Sequence, residues 1–173
     1  MFHAYLQDPL SKNAVKPPSI TWLNGSAGCG KSELLKCIIF LCELKRHKCV
    51  CTAFNHINTL HIDGVTTSLL LHFNETNMDR HINFLRCPWW KEFCDTVGNA
   101  VLIVINEFLN QAPWHLAKFS KACQVLMGRY GVPFGGIPVI SGDLNQLGPV
   151  RAGKSLALAI VDMCLNMWTI PYT

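Results

Sequence analysis

The run Gly25-Ser26-Ala27-Gly28-Cys29-Gly30-Lys31-Ser32 constrains this chain more than any other segment, because it joins two stretches of different periodicity. Ahead of it, Ser19 to Asn24 (SITWLN) is a short apolar run bounded by Pro18 and Gly25, which suits a buried strand. Behind it, Lys31 to Lys45 carries Leu34, Leu35, Ile38, Ile39 and Cys42 at helical spacing. Strand, glycine-rich turn and helix, in that order, are the setting of the phosphate loop G-x-x-x-x-G-K-S/T. Glycines let the backbone curl so that successive N–H groups face phosphates, and the helix N-terminus adds a favourable dipole. Gly25, Ala27, Gly28, Cys29, Gly30, Lys31 and Ser32 are therefore the candidate nucleotide-binding residues. Lys31 is placed to reach the β and γ phosphates, and the Ser32 hydroxyl to join a Mg2+ shell.

The same pattern recurs from Gly148 to Ser155 (GPVRAGKS), and its context differs. It starts seven residues beyond the expected end of a strand at Ser141. Pro149 removes an N–H from the would-be cradle, and Val150 resists a tight turn. A helix start with Lys154 in solvent is the expectation there.

Downstream of the first loop, strands are expected over Lys48 to Ala53, Asn99 to Ile105 and Ile137 to Ser141. Helices are expected over Gly64 to Phe73, Trp114 to Arg129 and Lys154 to Met167, with a polar loop up to Asp63 and no assignment from Asn74 to Gly98. Strands alternating with helices predict an α/β fold with a mostly parallel sheet flanked by helices, of the P-loop NTPase kind. The 173 residues, 50% hydrophobic and 15% charged, suffice for one domain with a real core and exclude a disordered or coiled-coil chain. Residues 1–18, with Pro9, Pro17 and Pro18, read as a lead-in, and 19–173 as the domain.

Nine cysteines, an odd number without a C-x-x-C pair, predict a reduced intracellular protein. Cys49 and Cys51, followed by His56 and His61, match no common zinc spacing and read as core residues of a strand. The apolar runs fall short of the roughly 20 residues a membrane span requires, so no membrane partner is expected. A net charge of +4 tolerates a polyanionic partner without demanding one.

A phosphate loop needs an acidic group at the end of a neighbouring buried strand, to hold the metal's water shell and orient the attacking water. Val101-Leu102-Ile103-Val104-Ile105-Asn106-Glu107 offers Glu107 as the group that polarises water. Asn106 stands at the metal-facing position, a neutral side chain that cannot offset cationic charge, so Mg2+ is expected to be held weakly. After the next strand, Gln146 in Ser141 to Val150 (SGDLNQLGPV) is placed to sense the γ phosphate through its amide. Lys31, Glu107 and Gln146 are thus the catalytic candidates.

Taken together, GSAGCGKS at 25–32, INEF at 105–108, PFGGIPV at 133–139 and GDLNQLGPV at 142–150 resemble the petite-integration-frequency (Pif-type) and RecD-like branch of superfamily 1 DNA helicases, including copies carried by Helitron-type transposons. The last two blocks are the specific ones. The resemblance spans about residues 19–165 and implies the first RecA-like motor domain of an enzyme coupling ATP hydrolysis to 5′ to 3′ movement on single-stranded DNA. ATP and Mg2+ are the implied cofactors, and single-stranded DNA is the implied partner. So is a second RecA-like motor domain, which is expected to be absent from these 173 residues. Family roles lie in DNA recombination, repair and telomere maintenance, in the nucleus or mitochondria if the source is eukaryotic.

Three departures mark this copy. The family's motif II aspartate is Asn106, and the Ser-Met that usually follows the INEF block is Leu109-Asn110. The A-P-T-G-x-A-A block, which helps hold the DNA backbone in the family, stands in register as Ala53-Phe54-Asn55-His56-Ile57-Asn58-Thr59. Downstream the frame of Ile62, Gly64 and Thr66 is kept, with Ser68 at the family's histidine position. Thr52, Gly64 and Thr66 are the remaining nucleic-acid candidates, the two hydroxyls through phosphate contact.

Overall fold

The computed structural model describes Leu6, Pro9 and residues 20–23, 28–72, 83–107 and 113–142. Its centre is β4 (Ala100–Asn106), where Val101 to Ile105 form an unbroken apolar run and are all buried. An apolar run without alternation marks a strand covered on both faces, as parallel sheets are. Side chains of β4 divide accordingly. Ile103 and Ile105 enter one core with Phe93, Leu116, Phe119, Phe134 and Val139, while Val101, Leu102 and Val104 enter another with Leu35, Cys42, Ile62 and Ile140.

Around it stand β1 (Ile20–Leu23), β2 (Lys48–Ala53), β3 (Val65–Thr66) and β5 (Val139–Gly142). The sheet order is β1-β5-β4-β2-β3 and every pairing is parallel. Five helices are described: α1 (Lys31–Leu44), α2 (His56–Leu60), α3 (Thr67–Leu70), α4 (Trp90–Val97) and α5 (Pro113–Met127). Helix α1 covers one face through Leu35 and Cys42; α4 and α5 cover the other through Phe93, Leu116 and Phe119. The α/β expectation with a parallel sheet flanked by helices is met.

Register places the C-terminal ends of the strands along one edge. Leu23 lies beside Gly142, Ile105 beside Ser141, Ala53 beside Asn106 and again beside Thr66. In open α/β sheets ligands bind outside this edge.

Two expectations need correction. The segment read as a polar loop before Asp63 contains α2, whose start is fixed by the Asn55 side chain accepting the Asn58 N–H at 2.8 Å. The helix expected from Gly64 to Phe73 is divided: Val65–Thr66 pair with β2, and Thr66 Oγ1 then accepts the Leu69 N–H at 3.1 Å to start α3. Gly64 permits the approach, since a Cβ there would lie 2.4 Å from the Cys51 carbonyl oxygen. The unassigned stretch from Asn74 to Gly98 holds α4, and Trp89 and Phe93 within it are core residues. From the lead-in, Leu6 is buried against the α1 core, and its carbonyl accepts a hydrogen bond from His47 Nε2 at 2.9 Å. The expected helix over Lys154 to Met167 and the second glycine-lysine pattern lie outside the described residues. None of the described helices is long and apolar enough to cross a membrane.

Candidate nucleotide site

The glycine loop leads into α1 in the way its residue types require. Gly28 and Gly30 have φ of +76° and +86°, a left-handed backbone that disfavours side chains, and no atom of the described residues lies within 4 Å of where a Cβ would stand at either. Gly30 caps α1, and no side chain bonds the amides of the first turn from that position. Such amides carry the positive end of the helix dipole and are met by an anion in phosphate-binding loops. Lys31 opens the helix, half-buried, with its ammonium 3.8 Å from Cys29 Sγ; Ser32 follows, exposed. Residues Gly25 and Ala27 of the motif lie outside the described residues, as does Gln146. A triphosphate fits what is described: a left-handed backbone at two glycines, and a cation and a hydroxyl at the helix start.

The acidic partner is at the end of the sheet's central strand. Asn106 is the last residue of β4 and 8% exposed, and Glu107 follows with φ +53°. The chain thus turns sharply where the strand ends, which carries the Glu107 carboxylate away from the strand's alternation. Asn58 of α2 meets both residues. Its Nδ2 donates to Glu107 Oε2, and its main-chain oxygen accepts from Asn106 Nδ2 at 3.4 Å. For Mg2+ the expected donors are Ser32 and Asn106, a hydroxyl and an amide oxygen without a carboxylate; such a pair would suit only a weakly held, nucleotide-borne cation.

The nucleic-acid candidates divide. Thr66 and Gly64 are partly exposed, at the edge of the sheet beside β2. Thr52 is corrected: its side chain is fully buried, and its hydroxyl lacks a hydrogen-bond partner among the described residues, so it cannot touch a phosphate from this position. Asn58 is the residue that sequence reasoning passed over. Its signal was an amide at a place where the resembling block has alanine, in the same chain that has an amide for the motif II aspartate.

The PIF1-like helicase family model matches residues 8–169. Among solved structures, Pif1 helicase from Candida albicans superposes with a TM-score of 0.66 at 25% identity, covering 90% of this chain and 36% of that one. Pif1 from Bacteroides sp in complex with ADP-AlF4 gives 0.61 at 24% identity over 93% of this chain and 34% of its own. Bacteroides Pif1 bound to single-stranded DNA gives 0.60 at 26% identity, with 83% and 32% covered. The chain thus spans about a third of the length of the structures it matches. No curated protein matches it. With the family model matching nearly the whole sequence, and with the glycine loop, the central strand and the parallel sheet in place, this chain belongs to the PIF1-like helicase family.

Proposed function

We propose that this chain is the nucleotide-binding motor domain of an ATP-dependent DNA helicase, using ATP hydrolysis to move 5′ to 3′ along single-stranded DNA. The observation that carries it is the pairing of two features along one sheet: the left-handed Gly28–Gly30 turn leading into Lys31 and Ser32, and Glu107 at the end of central strand β4. Lys31 neutralises β- and γ-phosphate charge, the loop amides hold the phosphates, and Glu107 orients and deprotonates water. Mg2+ when bound supplies charge neutralisation on the phosphates; Ser32 and Asn106 are the residues that would hold it. Gln146 reads the γ phosphate. Thr66 and the backbone at Gly64 lie toward the DNA. A second RecA-like domain completes the site with a transition-state cation, a contribution of several orders of magnitude in such enzymes. The isolated 173 residues therefore bind ATP weakly and do not unwind duplex DNA. DNA recombination, repair and telomere maintenance, in the nucleus or mitochondria, are the roles we assign by family.

A second reading, a nucleotide-binding module with impaired hydrolysis, is favoured by one observation: Asn106 supplies no charge to the metal and spends its amide on the Asn58 carbonyl. The deciding experiment is equilibrium binding of a fluorescent ATP analogue, with and without Mg2+, to wild type, Lys31→Ala and Lys154→Ala. Loss in Lys31→Ala of roughly 100-fold, as expected when a desolvated charge pair loses its cation, places the site at the first loop. Retention of affinity in Lys31→Ala overturns it. Lys154→Ala is expected to bind as wild type does.

A further inference from the structure

Two amides in this chain replace residues of other types in the resembling blocks, Asn106 for aspartate and Asn58 for alanine, and the fold brings them together across 48 residues of sequence. Glu107 lies between them chemically. It stands one residue beyond β4 in a left-handed conformation, so strand geometry does not aim its carboxylate and a side-chain partner must. Among the described residues Asn58 is such a partner through Nδ2, while its main-chain oxygen accepts from Asn106. Asn58 is itself held: its N–H donates to Asn55 Oδ1, and the next residue, Thr59, is buried with its hydroxyl on the His56 carbonyl at 2.6 Å. Alanine at 58 keeps the main-chain oxygen that Asn106 bonds but has no side chain to reach Glu107. Aspartate there repels Glu107, and a cation there pairs with it; an amide orients the carboxylate without adding charge of either sign.

We propose that Asn58 is a positioning residue, which fixes the direction of the Glu107 carboxylate at the C-terminal edge of the sheet and ties Asn106 to the same helix. Its consequence for rate rests on the proposed role of Glu107 in activating water. The contact and the role are separable by measurement. In 15N–1H spectra of the full 173-residue chain, the Asn58 side-chain amide pair is identified by its loss in Asn58→Ser. A hydrogen bond to a carboxylate moves one of its protons downfield, and Glu107→Ala is expected to return it. In single-turnover hydrolysis, Asn58→Ala is expected to slow the chemical step by about 10- to 100-fold, while affinity for the fluorescent ATP analogue changes by less than about twofold. Asn58→Gln, which keeps the amide, recovers part of the rate.

An Asn58 signal that Glu107→Ala leaves unmoved overturns the proposal. So does a wild-type hydrolysis rate in Asn58→Ala. If the 173 residues alone hydrolyse no ATP, as expected where the second domain's cation is required, the spectral comparison alone decides whether Asn58 holds the Glu107 carboxylate. Should Asn58→Ala fail to fold, Asn58→Ser in hydrolysis and Glu107→Ala in the spectra carry the same decision.

Discussion

The two ends of the candidate site differ in how they depend on the rest of the chain. At the glycine loop, eight consecutive residues match the phosphate-binding pattern and lead directly into α1. At the carboxylate end, function is distributed: Glu107 is aimed by Asn58, Asn58 is placed by Asn55, and Asn106 is bonded back to the Asn58 carbonyl. The first end is a local device, needing one strand, one turn and one helix. The second is a tertiary device, and it is there that the chain departs from its family's sequence blocks. At the loop, the positive φ of Gly28 and Gly30 demands glycine at two fixed places, while the second end depends on side chains from separate elements.

If that difference is one of local chemistry, undermining the shared scaffold must abolish both ends together. Phe119 is the place to test it. It is fully buried on α5, edge-on to Phe93 at 6.2 Å and to Phe134 at 5.5 Å between ring centroids. Phe119→Ala is expected to cost about 3–5 kcal/mol, and nucleotide binding and the Asn58–Glu107 contact should disappear in one denaturant transition. Two separate transitions would mean that the ends belong to independently stable units. The neighbouring 3-10 turn, Pro133–Gly136, is part of the same scaffold. The Phe134 N–H donates to Ser120 Oγ at 2.9 Å, and the Gly131 N–H to Gln124 Oε1 at 3.0 Å, anchoring to α5 the turn that feeds β5.

The next effect is smaller and confined to the second end. Asn106→Asp restores a carboxylate where Ser32 would share a cation, so the gain in ATP-analogue affinity on adding Mg2+ should rise by about tenfold over wild type, with affinity in its absence slightly reduced by the added negative charge. Equal Mg2+ dependence in both proteins would show that Asn106 does not face the metal, and would locate the metal shell on Ser32 and the nucleotide alone. The substitution also exchanges an amide donor for an acceptor toward the Asn58 carbonyl, so the Asn58 spectrum is a built-in control on whether α2 has shifted.

This same contrast explains what could be read from sequence. Strand β2 begins and ends where its apolar run predicts, Lys48 to Ala53, and β4 is displaced by one residue from the Asn99 to Ile105 expectation. Both are central strands, and burial on two faces leaves a strong compositional trace. Helix α2 has five residues, too few to show a helical period, and its cap Asn55 was read as part of a polar loop; α3, with four, lies inside the helix expected from Gly64 to Phe73. Strand β3, two residues long, owes its existence to pairing with Thr52 and Ala53. The Asn58–Glu107 bond joins positions 49 apart and has no local signature at all. The places of Lys31 and Ser32 at a helix start, and of Glu107 just past a strand end, were legible because the phosphate-loop pattern fixes residue types relative to those elements.

Thr52 shows the reverse error, a residue type that suits the chemistry in a place that does not. Its hydroxyl was a candidate for contact with a DNA phosphate, but Thr52 sits in β2 between β3 and β4, in register with Val65 and Ile105, with its side chain fully buried and its oxygen without a partner among the described residues. A buried, unsatisfied hydroxyl is a cost that an apolar group of the same shape removes. Thr52→Val is therefore expected to raise stability by about 1 kcal/mol in urea denaturation and to leave affinity for a thymidine oligomer unchanged. Loss of stability would mean that the hydroxyl has found a water or a partner in solution, and loss of oligomer affinity would return it to the DNA-binding surface. The two readouts separate a strand residue that merely supports the second end from one that belongs to it.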